Sequence, residues 1–473
     1  MSSPIGTLEN PLRVAIVGSG PAGFYAAGQL LGDKERTVRV EMFDRLATPW
    51  GLVRAGVAPD HPNIKAVTRV YEKTARKEGF RFHGNVEVGR DVSHEELAAH
   101  HHAVLYATGS PTDRRLGIPG EDLPGSAAAT SFVAWYNGHP DYRDDDFDLT
   151  PKRAVVIGNG NVAVDVARML ALTDEELGRT DIADHALEAL SDSQVEEIVI
   201  LGRRGPLQAA YTNPELKELG EMAAADVIVD PAEAALDPLS QAVLDGGEVD
   251  KTGRVNVEMV RKYAAREPHG YRRRIVLRFL ASPVEILGDE RVKGVRIVRN
   301  RLEQTPDGRL VARATGETED VPCGLVLRSV GYRGRPLAGL PFDETSHTLN
   351  NVGGRIADVG TGEPVPGAYT AGWIKRGPSG VIGTNKKCAQ ETVTALIEDL
   401  VAGRLPEPDA DVDELIEALH ERHPDVVDYS GWELIDQHER GLGETAGRPR
   451  VKLTRARELL DVAGSARLAR AED

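Results

Sequence analysis

Apolar positions along this chain fall into two repeating patterns. The run Arg13–Val17 is almost continuously apolar and β-branched, as expected of a strand buried on both faces. It enters a glycine-rich turn, helical spacing then spans Pro21–Leu31, and a second strand is predicted over Val38–Asp44. The same succession begins again at Arg153, with a helical insertion over Thr173–Leu190 before a strand at Glu197–Leu201. A helix is predicted over Ile64–Lys77, and His102–Ser110 reads as a buried strand ending at a glycine turn where the chain leaves its first domain. Strand patterns around Ile275–Leu287 and Val292–Asn300 precede Leu325–Gly331, another strand ending in glycine, which returns the chain to that domain. Asp141–Pro151 reads as an acidic surface loop, and the tail beyond Pro406 as polar and mostly helical.

The two turns carry the chemistry. Gly18, Gly20 and Gly23 fit G-x-G-x-x-G, and Gly158, Gly160 and Ala163 fit the variant ending in alanine. Glycine at these places permits a tight turn and close backbone approach to a pyrophosphate lying on the N-terminus of the following helix. The strands that follow differ at their ends. Asp44 closes the first, and a carboxylate there accepts from ribose hydroxyls and repels a 2′-phosphate, so the first site should hold the adenosine half of FAD or NAD. The second runs into Arg203 and Arg204, whose guanidiniums suit a 2′-phosphate and select NADP. Two such sites on one chain suggest electron transfer between two dinucleotides.

A length of 473 residues implies two or three domains, and a formal charge of −17 argues against nucleic acid as principal partner. No apolar run reaches membrane-spanning length and no secretory signal is recognisable, so the expected location is cytoplasmic. Cys323 and Cys388 are the only cysteines; they form no CxxC motif and read as structural.

Four ordered segments, TPWGLVRAGVAPDHP at Thr48–Pro62, GNGNVAVDVARML at Gly158–Leu170, GRRGPLQAAYTNPEL at Gly202–Leu216 and GWIKRGPSGVIGTNKK at Gly372–Lys387, resemble the adrenodoxin reductase family, which includes actinobacterial ferredoxin–NADP reductases. The similarity runs from Leu12 to about Leu453. It implies an α/β protein of two Rossmann-like dinucleotide-binding domains, the NADP domain inserted in a discontinuous FAD domain. The expected division is residues 1–110 and 331–473 for FAD, the latter with the helical tail, and 111–330 for NADP. The implied activity is that of an FAD-dependent ferredoxin–NADP(+) oxidoreductase, passing hydride from NADPH to flavin N5 and single electrons, reversibly, to ferredoxin or flavodoxin. An NADPH-sensing flavoprotein and, less favoured, a disulfide reductase remain as alternatives; the latter lacks paired cysteines.

The FAD set expected on these grounds is Gly18, Ser19, Gly20, Ala22, Gly23, Asp44, Leu46, Gly51, Leu52, Thr108, Gly109, Gly372, Trp373, Gly380, Val381 and Ile382. The NADP set is Gly158, Asn159, Gly160, Asn161, Val162, Ala163, Arg203, Arg204 and Glu215. A flavin needs backbone donors at its pyrimidine edge, and Gly380–Thr384 reads as a helix opening that supplies them. Trp373 either covers the ring, limits nicotinamide stacking or packs structurally. His61 either hydrogen-bonds or carries protons beside the flavin, or fixes its loop; Glu215 either matches an acidic family position at the nicotinamide end or caps a helix. Asp165 reads as structural. No metal is expected. For an acidic carrier, two basic groups are candidate docking surfaces: Lys65, Arg69, Lys73 and Arg76 at helical spacing, and Arg261, Lys262, Arg266 and Arg272–Arg274.

Overall fold

A computed structural model describes residues 3–247 and 250–471, and the chain forms two compact units. The first comprises the described residues up to Val57, His61–Asp113 and those from Gly331 onward; the second comprises Ala58–Asp60 and Arg114–Val330. Apart from the short excursion Ala58–Asp60, the chain passes to the second unit after Asp113, three residues beyond Ser110. The cause is local, since Thr112–Asp113 pairs antiparallel with Tyr332–Arg333, and the outgoing and returning strands form a ribbon within the first unit.

The first unit is built on a seven-stranded sheet with the spatial order Asn351–Val352, Arg355–Ala357, Pro364–Thr370, Ala103–Tyr106, Leu12–Val17, Val38–Asp44 and Phe80–Gly84. From Pro364–Thr370 onward the pairs are parallel. Alternation along Leu12–Val17 distributes its side chains to two cores: Leu12, Val14 and Ile16 on one face, Ala15 and Val17 on the other. That two-sided burial is why the strand reads as a continuous apolar run. The tail adds helices Val412–Arg422, Tyr429–Ala446 and Ala456–Ala471, and it is less peripheral than its polar composition suggests: Trp432 and Ile435 join the core beneath Leu12, Val14 and Ile16.

The second unit has an all-parallel six-stranded sheet, Ser126–Ala128, Leu325–Arg328, Arg153–Ile157, Glu197–Leu201, Arg273–Arg278 and Ala225–Val229 in spatial order. A three-stranded antiparallel sheet, Ala281–Gly288, Val292–Gln304 and Leu310–Pro322, completes it. Leu280, at φ +52°, separates Arg273–Arg278 from Ala281–Gly288 and sends the two strands into different sheets. In both large sheets the strand that precedes a glycine turn is flanked on one side by its successor and on the other by a strand from later in the chain. Strand order reverses there, and ligands of open α/β sheets bind beyond the carboxyl ends of strands at such a point.

The helix expected over Ile64–Lys77 is two helices, Pro62–Lys65 and Thr68–Ala75. At their junction Val67 N–H donates to Ile64 O, Arg69 N–H to Ala66 O and Val70 N–H to Val67 O, three-residue spacings that tighten the turn and change the helical register.

Candidate functional site

The first glycine turn is sterically exacting. Gly18 has φ +103°, and a Cβ on it would stand 2.6 Å from Ala107 O; one on Gly23 would meet Gly18 O at 2.1 Å. The same construction at Gly20 meets nothing within 4 Å, so the turn is packed behind and open in front. Thr108 lies directly beside Gly18, Gly109 after it has φ +73° and faces open space, and Gly51 approaches Gly20, where an added Cβ would be 2.9 Å from Gly20 Cα. Leu52, 40% exposed, opens the four-residue helix that follows Gly51. Asp44 holds the turn from the neighbouring strand. Its Oδ2 accepts from Ser19 N–H at 2.9 Å and Ser19 Oγ at 2.5 Å, and its Oδ1 from Leu46 N–H at 2.9 Å. A carboxylate has about four lone-pair sites, so three are taken and one remains for a ribose hydroxyl.

Gly372 closes this edge. It has φ +79°, an added Cβ would lie 2.7 Å from Ala22 Cβ, and its N–H donates to Cys388 Sγ at 3.2 Å. Trp373 leans on Tyr332 with ring centroids 5.2 Å apart, and its buried indole Nε1 has no hydrogen-bond partner. Arg376 spans the next loop, donating from Nη2 to Asn385 Oδ1 at 2.8 Å and from Nη1 to Ser379 O. Gly380 and Val381 lead into the twenty-residue helix Ile382–Val401, which has no acidic residue in its first turn. The expected FAD positions, scattered from Gly18 to Ile382, thus gather around one turn and two helix N-termini of the first unit. An open glycine cradle, an unpartnered indole N–H and acid-free helix starts fit a dinucleotide bearing an electron-poor ring.

The second unit repeats the cradle. Gly158 has φ +126°, with Ser329 O 2.0 Å from an added Cβ, whereas Gly160 again faces open space. Ala163 is fully buried at the third position, and Val162 packs against the same core. Asn159 O accepts from Ala210 N–H at 3.1 Å, and Asn161 Oδ1 from Thr212 N–H at 2.8 Å, tying the turn to the segment after the arginine pair. The buried Asn159 Nδ2 has no partner. Arg203 is exposed and Arg204 half-buried, and neither pairs with a carboxylate among the described residues. Burial, and then the charge of Arg203, push the Arg204 pKa down. Two guanidiniums without a carboxylate partner, beside an open phosphate turn, are set for a dianion.

The second unit also holds an ion cluster around a buried arginine that the sequence did not disclose. Arg168, 3% exposed, binds Asp60 through Nε (2.6 Å) and Nη2 (3.1 Å), Asp165 at 2.8 Å, Glu218 at 3.3 Å and Glu215 at 3.4 Å. Burial opposes the charge of Arg168, but hydrogen bonding to Asp60 and the charges of Asp165, Asp60 and Glu215 outweigh it and raise the pKa. Glu215 is therefore a buried partner of Arg168 as well as a residue of the first turn of helix Asn213–Leu219. Asp165, read from the sequence as structural, is one of the carboxylates on Arg168. His61 is buried in the first unit, where its carbonyl accepts from Ile64 and Lys65 N–H at 3.2 Å, so it organises the start of Pro62–Lys65.

The basic groups fare unequally. Arg69 and Lys73 are exposed and lack an ion-pair partner among the described residues, while Arg76 pairs with Glu433 at 3.1 Å and the helix break separates Lys65 from the stripe. In the second group Arg261 and Lys262 are exposed without a carboxylate partner among the described residues, and the others are engaged. Arg272 meets Glu196 at 3.5 Å, Arg274 meets Glu197 at 2.5 Å, Arg273 is buried on Leu172 O, and Arg266 bonds Gly220 O and covers Tyr263. Cys323 and Cys388 are both buried, in different units, and burial pushes the Cys323 thiol up to about 12. They form no dithiol.

The model of the pyridine nucleotide-disulphide oxidoreductase family matches residues 12–200. The chain is 50% identical over 463 residues to the NADPH-ferredoxin reductase FprA of Mycobacterium tuberculosis, covering 96% of this chain and 99% of that protein. It is 41% identical over 472 residues to the mitochondrial NADPH:adrenodoxin oxidoreductase of Arabidopsis thaliana, covering 97% and 96%. The solved structure of Mycobacterium tuberculosis FprA in complex with NADPH matches with a TM-score of 0.91 at 50% identity, over 96% of this chain and 100% of that one.

Three outcomes are expected from this geometry. Changing both Arg203 and Arg204 to Ala weakens NADPH binding by about 3 kcal/mol, roughly a hundredfold, and leaves NADH binding nearly unchanged; isothermal titration measures both, and an intact NADPH preference removes the pair from specificity. Gly160→Val fills the open face of the second turn, so the purified protein keeps its yellow colour but is no longer reduced rapidly by NADPH, while dithionite still bleaches it. Arg168→Met leaves four carboxylates without their shared cation and lowers stability by about 3–5 kcal/mol; a thermal midpoint equal to that of the wild type would show that the cluster is not held by this charge.

Proposed function

Because the chain belongs to the adrenodoxin reductase family, we propose that it is an FAD-dependent NADPH–ferredoxin oxidoreductase of the ferredoxin–NADP(+) reductase type, with FAD on the first glycine turn and NADPH on the second. The observation that carries this reading is the contrast between two otherwise similar cradles: the first ends in Asp44, the second in unpaired Arg203 and Arg204. FAD, when bound, accepts hydride from NADPH and releases the electrons singly to a one-electron carrier.

The residues of the chain bind, orient and shield. Gly18, Gly20 and Gly23 bring backbone N–H groups to the FAD pyrophosphate; Asp44 fixes Ser19 in that turn and offers its remaining acceptor site to ribose. Trp373, through its unpartnered indole N–H, and the start of helix Ile382–Val401 offer donors to the flavin, and Gly372 closes the edge beside them. Arg203 and Arg204 hold the 2′-phosphate, and Arg168 holds Glu215 at the nicotinamide end of the NADP site. The buried cysteines supply no redox pair, which favours a one-electron carrier over a disulfide as acceptor. The carrier is an acidic ferredoxin or a flavodoxin, met by Arg69 and Lys73, four residues apart on the helix Thr68–Ala75. Among the described residues no helix is long and apolar enough to cross a membrane, and a cytoplasmic location is part of the same proposal.

NADPH-driven reduction of a purified acidic ferredoxin, followed spectroscopically, tests the function; flavin that NADPH reduces but no carrier reoxidises would instead support an NADPH-sensing protein. With Arg69 and Lys73 both changed to Glu, ferredoxin reduction slows and loses much of its salt dependence, whereas NADPH-driven ferricyanide reduction keeps its rate. Equal losses in both assays indicate damage to the flavin site, and no loss in either overturns docking at this helix.

A further inference from the structure

Glu439, in the tail helix Tyr429–Ala446, is a charged side chain with no exposed surface. Its two oxygens receive at least four donors: Arg54 Nη1 at 2.8 Å and Nη2 at 2.6 Å, Arg450 Nη1 at 3.0 Å and Leu453 N–H at 2.9 Å. The Arg54 pair is bidentate, the geometry in which a guanidinium and a carboxylate fix each other's orientation. Arg54 is further restrained by Trp432, whose ring lies 5.4 Å below the guanidinium, and its carbonyl accepts from Lys452 Nζ at 3.3 Å. Its side chain is only 10% exposed.

What Arg54 belongs to gives this cluster its meaning. Helix Leu52–Ala55 has four residues, too few to hold its shape alone. It starts at a strained corner: Trp50 has φ +85°, a region that bulky residues occupy only when their surroundings over-determine them, and Gly51 has φ +50°. That corner touches the phosphate turn directly. Trp50 N–H donates to Ser19 O at 3.1 Å, and Gly51 lies against Gly20. The Trp50 ring is held by Phe24 at 4.7 Å, Tyr71 at 5.7 Å and Trp432 at 6.0 Å, and the other end of the short helix is held by Glu439 through Arg54. Buried ion pairs are often replaceable by apolar residues without loss of stability, so complete burial of this one suits a role in geometry.

We propose that Glu439 is a positioning residue for the FAD site: through Arg54, 385 residues away in sequence, it fixes the Trp50–Leu52 corner against the phosphate turn and thereby sets FAD affinity. The proposal rests on the assignment of FAD to the first turn. Its consequence is that the tail takes part in cofactor binding without touching the cofactor.

Full-length Glu439→Gln, Arg54→Met, the double variant, Arg54→Lys and Arg450→Met are prepared as apoproteins. FAD dissociation constants are read from flavin fluorescence and compared with apoprotein melting temperatures. Glu439→Gln and Arg54→Met each raise the dissociation constant roughly tenfold, and the double variant is no worse than either alone, since both remove one interaction. Arg54→Lys recovers part of the affinity, and Arg450→Met, which leaves the Arg54–Glu439 pair in place, binds FAD within about twofold of the wild type even where its melting temperature falls. Affinity that follows melting temperature across all five variants, or wild-type affinity in Glu439→Gln, overturns the proposal. A wild-type apoprotein that takes up no FAD overturns the cofactor assignment and the proposal with it.

Discussion

Everything in this protein depends on turning a parallel strand into a helix without room for a side chain at the corner and without covering the helix start. Gly18 and Gly158 both take positive φ because the carbonyls of Ala107 and Ser329 occupy the space of a Cβ. The helices that follow, Pro21–Leu30 and Asn161–Ala171, have glycine at the cap position, no side-chain cap and no acid in the first turn. Other helices carry side-chain caps, from Ser93, Thr173, Asp237, Asp250, Asp411 and Asp428. In a protein of net charge −17, an acid-free helix start directly behind an open glycine turn is a positive end that suits an anion.

Counter-ions separate binding arginines from structural ones. Arg168 has four carboxylates, Arg278 has Glu233 and Glu319, and Arg54 has Glu439; each is spent on holding elements together. Arg203 and Arg204 have none, and Arg204 bears the electrostatic cost of its neighbour. Charge left unmatched at the end of a second Rossmann strand is charge available to a 2′-phosphate. The same comparison matches Arg272 and Arg274 with Glu196 and Glu197 and leaves Arg69 and Lys73, as well as Arg261 and Lys262, without a carboxylate partner among the described residues.

Short-range patterns were legible and long-range partnerships were not. The strands Leu12–Val17 and Arg153–Ile157, the turns after them and the difference between Asp44 and Arg203–Arg204 all lie within one βαβ unit, where residue type and spacing carry the information. The opening of helix Ile382–Val401 was legible because glycines mark it. The carboxylates around Arg168 were not, since Asp60 is 108 residues away and Glu215 is 47 away. Arg272 and Arg274 looked like a basic patch because Glu196 and Glu197, their partners across neighbouring parallel strands, lie far back in the sequence. Helical spacing over Ile64–Lys77 concealed the turn at Ala66–Val67, and a polar tail gave no sign that Glu439 is buried beside the first turn's supporting helix.

The central claim is that two dinucleotides on one chain exchange a hydride, and an anaerobic titration of the purified protein with NADPH, followed by flavin absorbance, tests it most directly. The account predicts that the flavin band bleaches in proportion to NADPH added, that NADH at the same concentration bleaches it far more slowly, and that colour returns when oxidised ferredoxin is admitted. Retention of full flavin absorbance in the presence of saturating NADPH would contradict it.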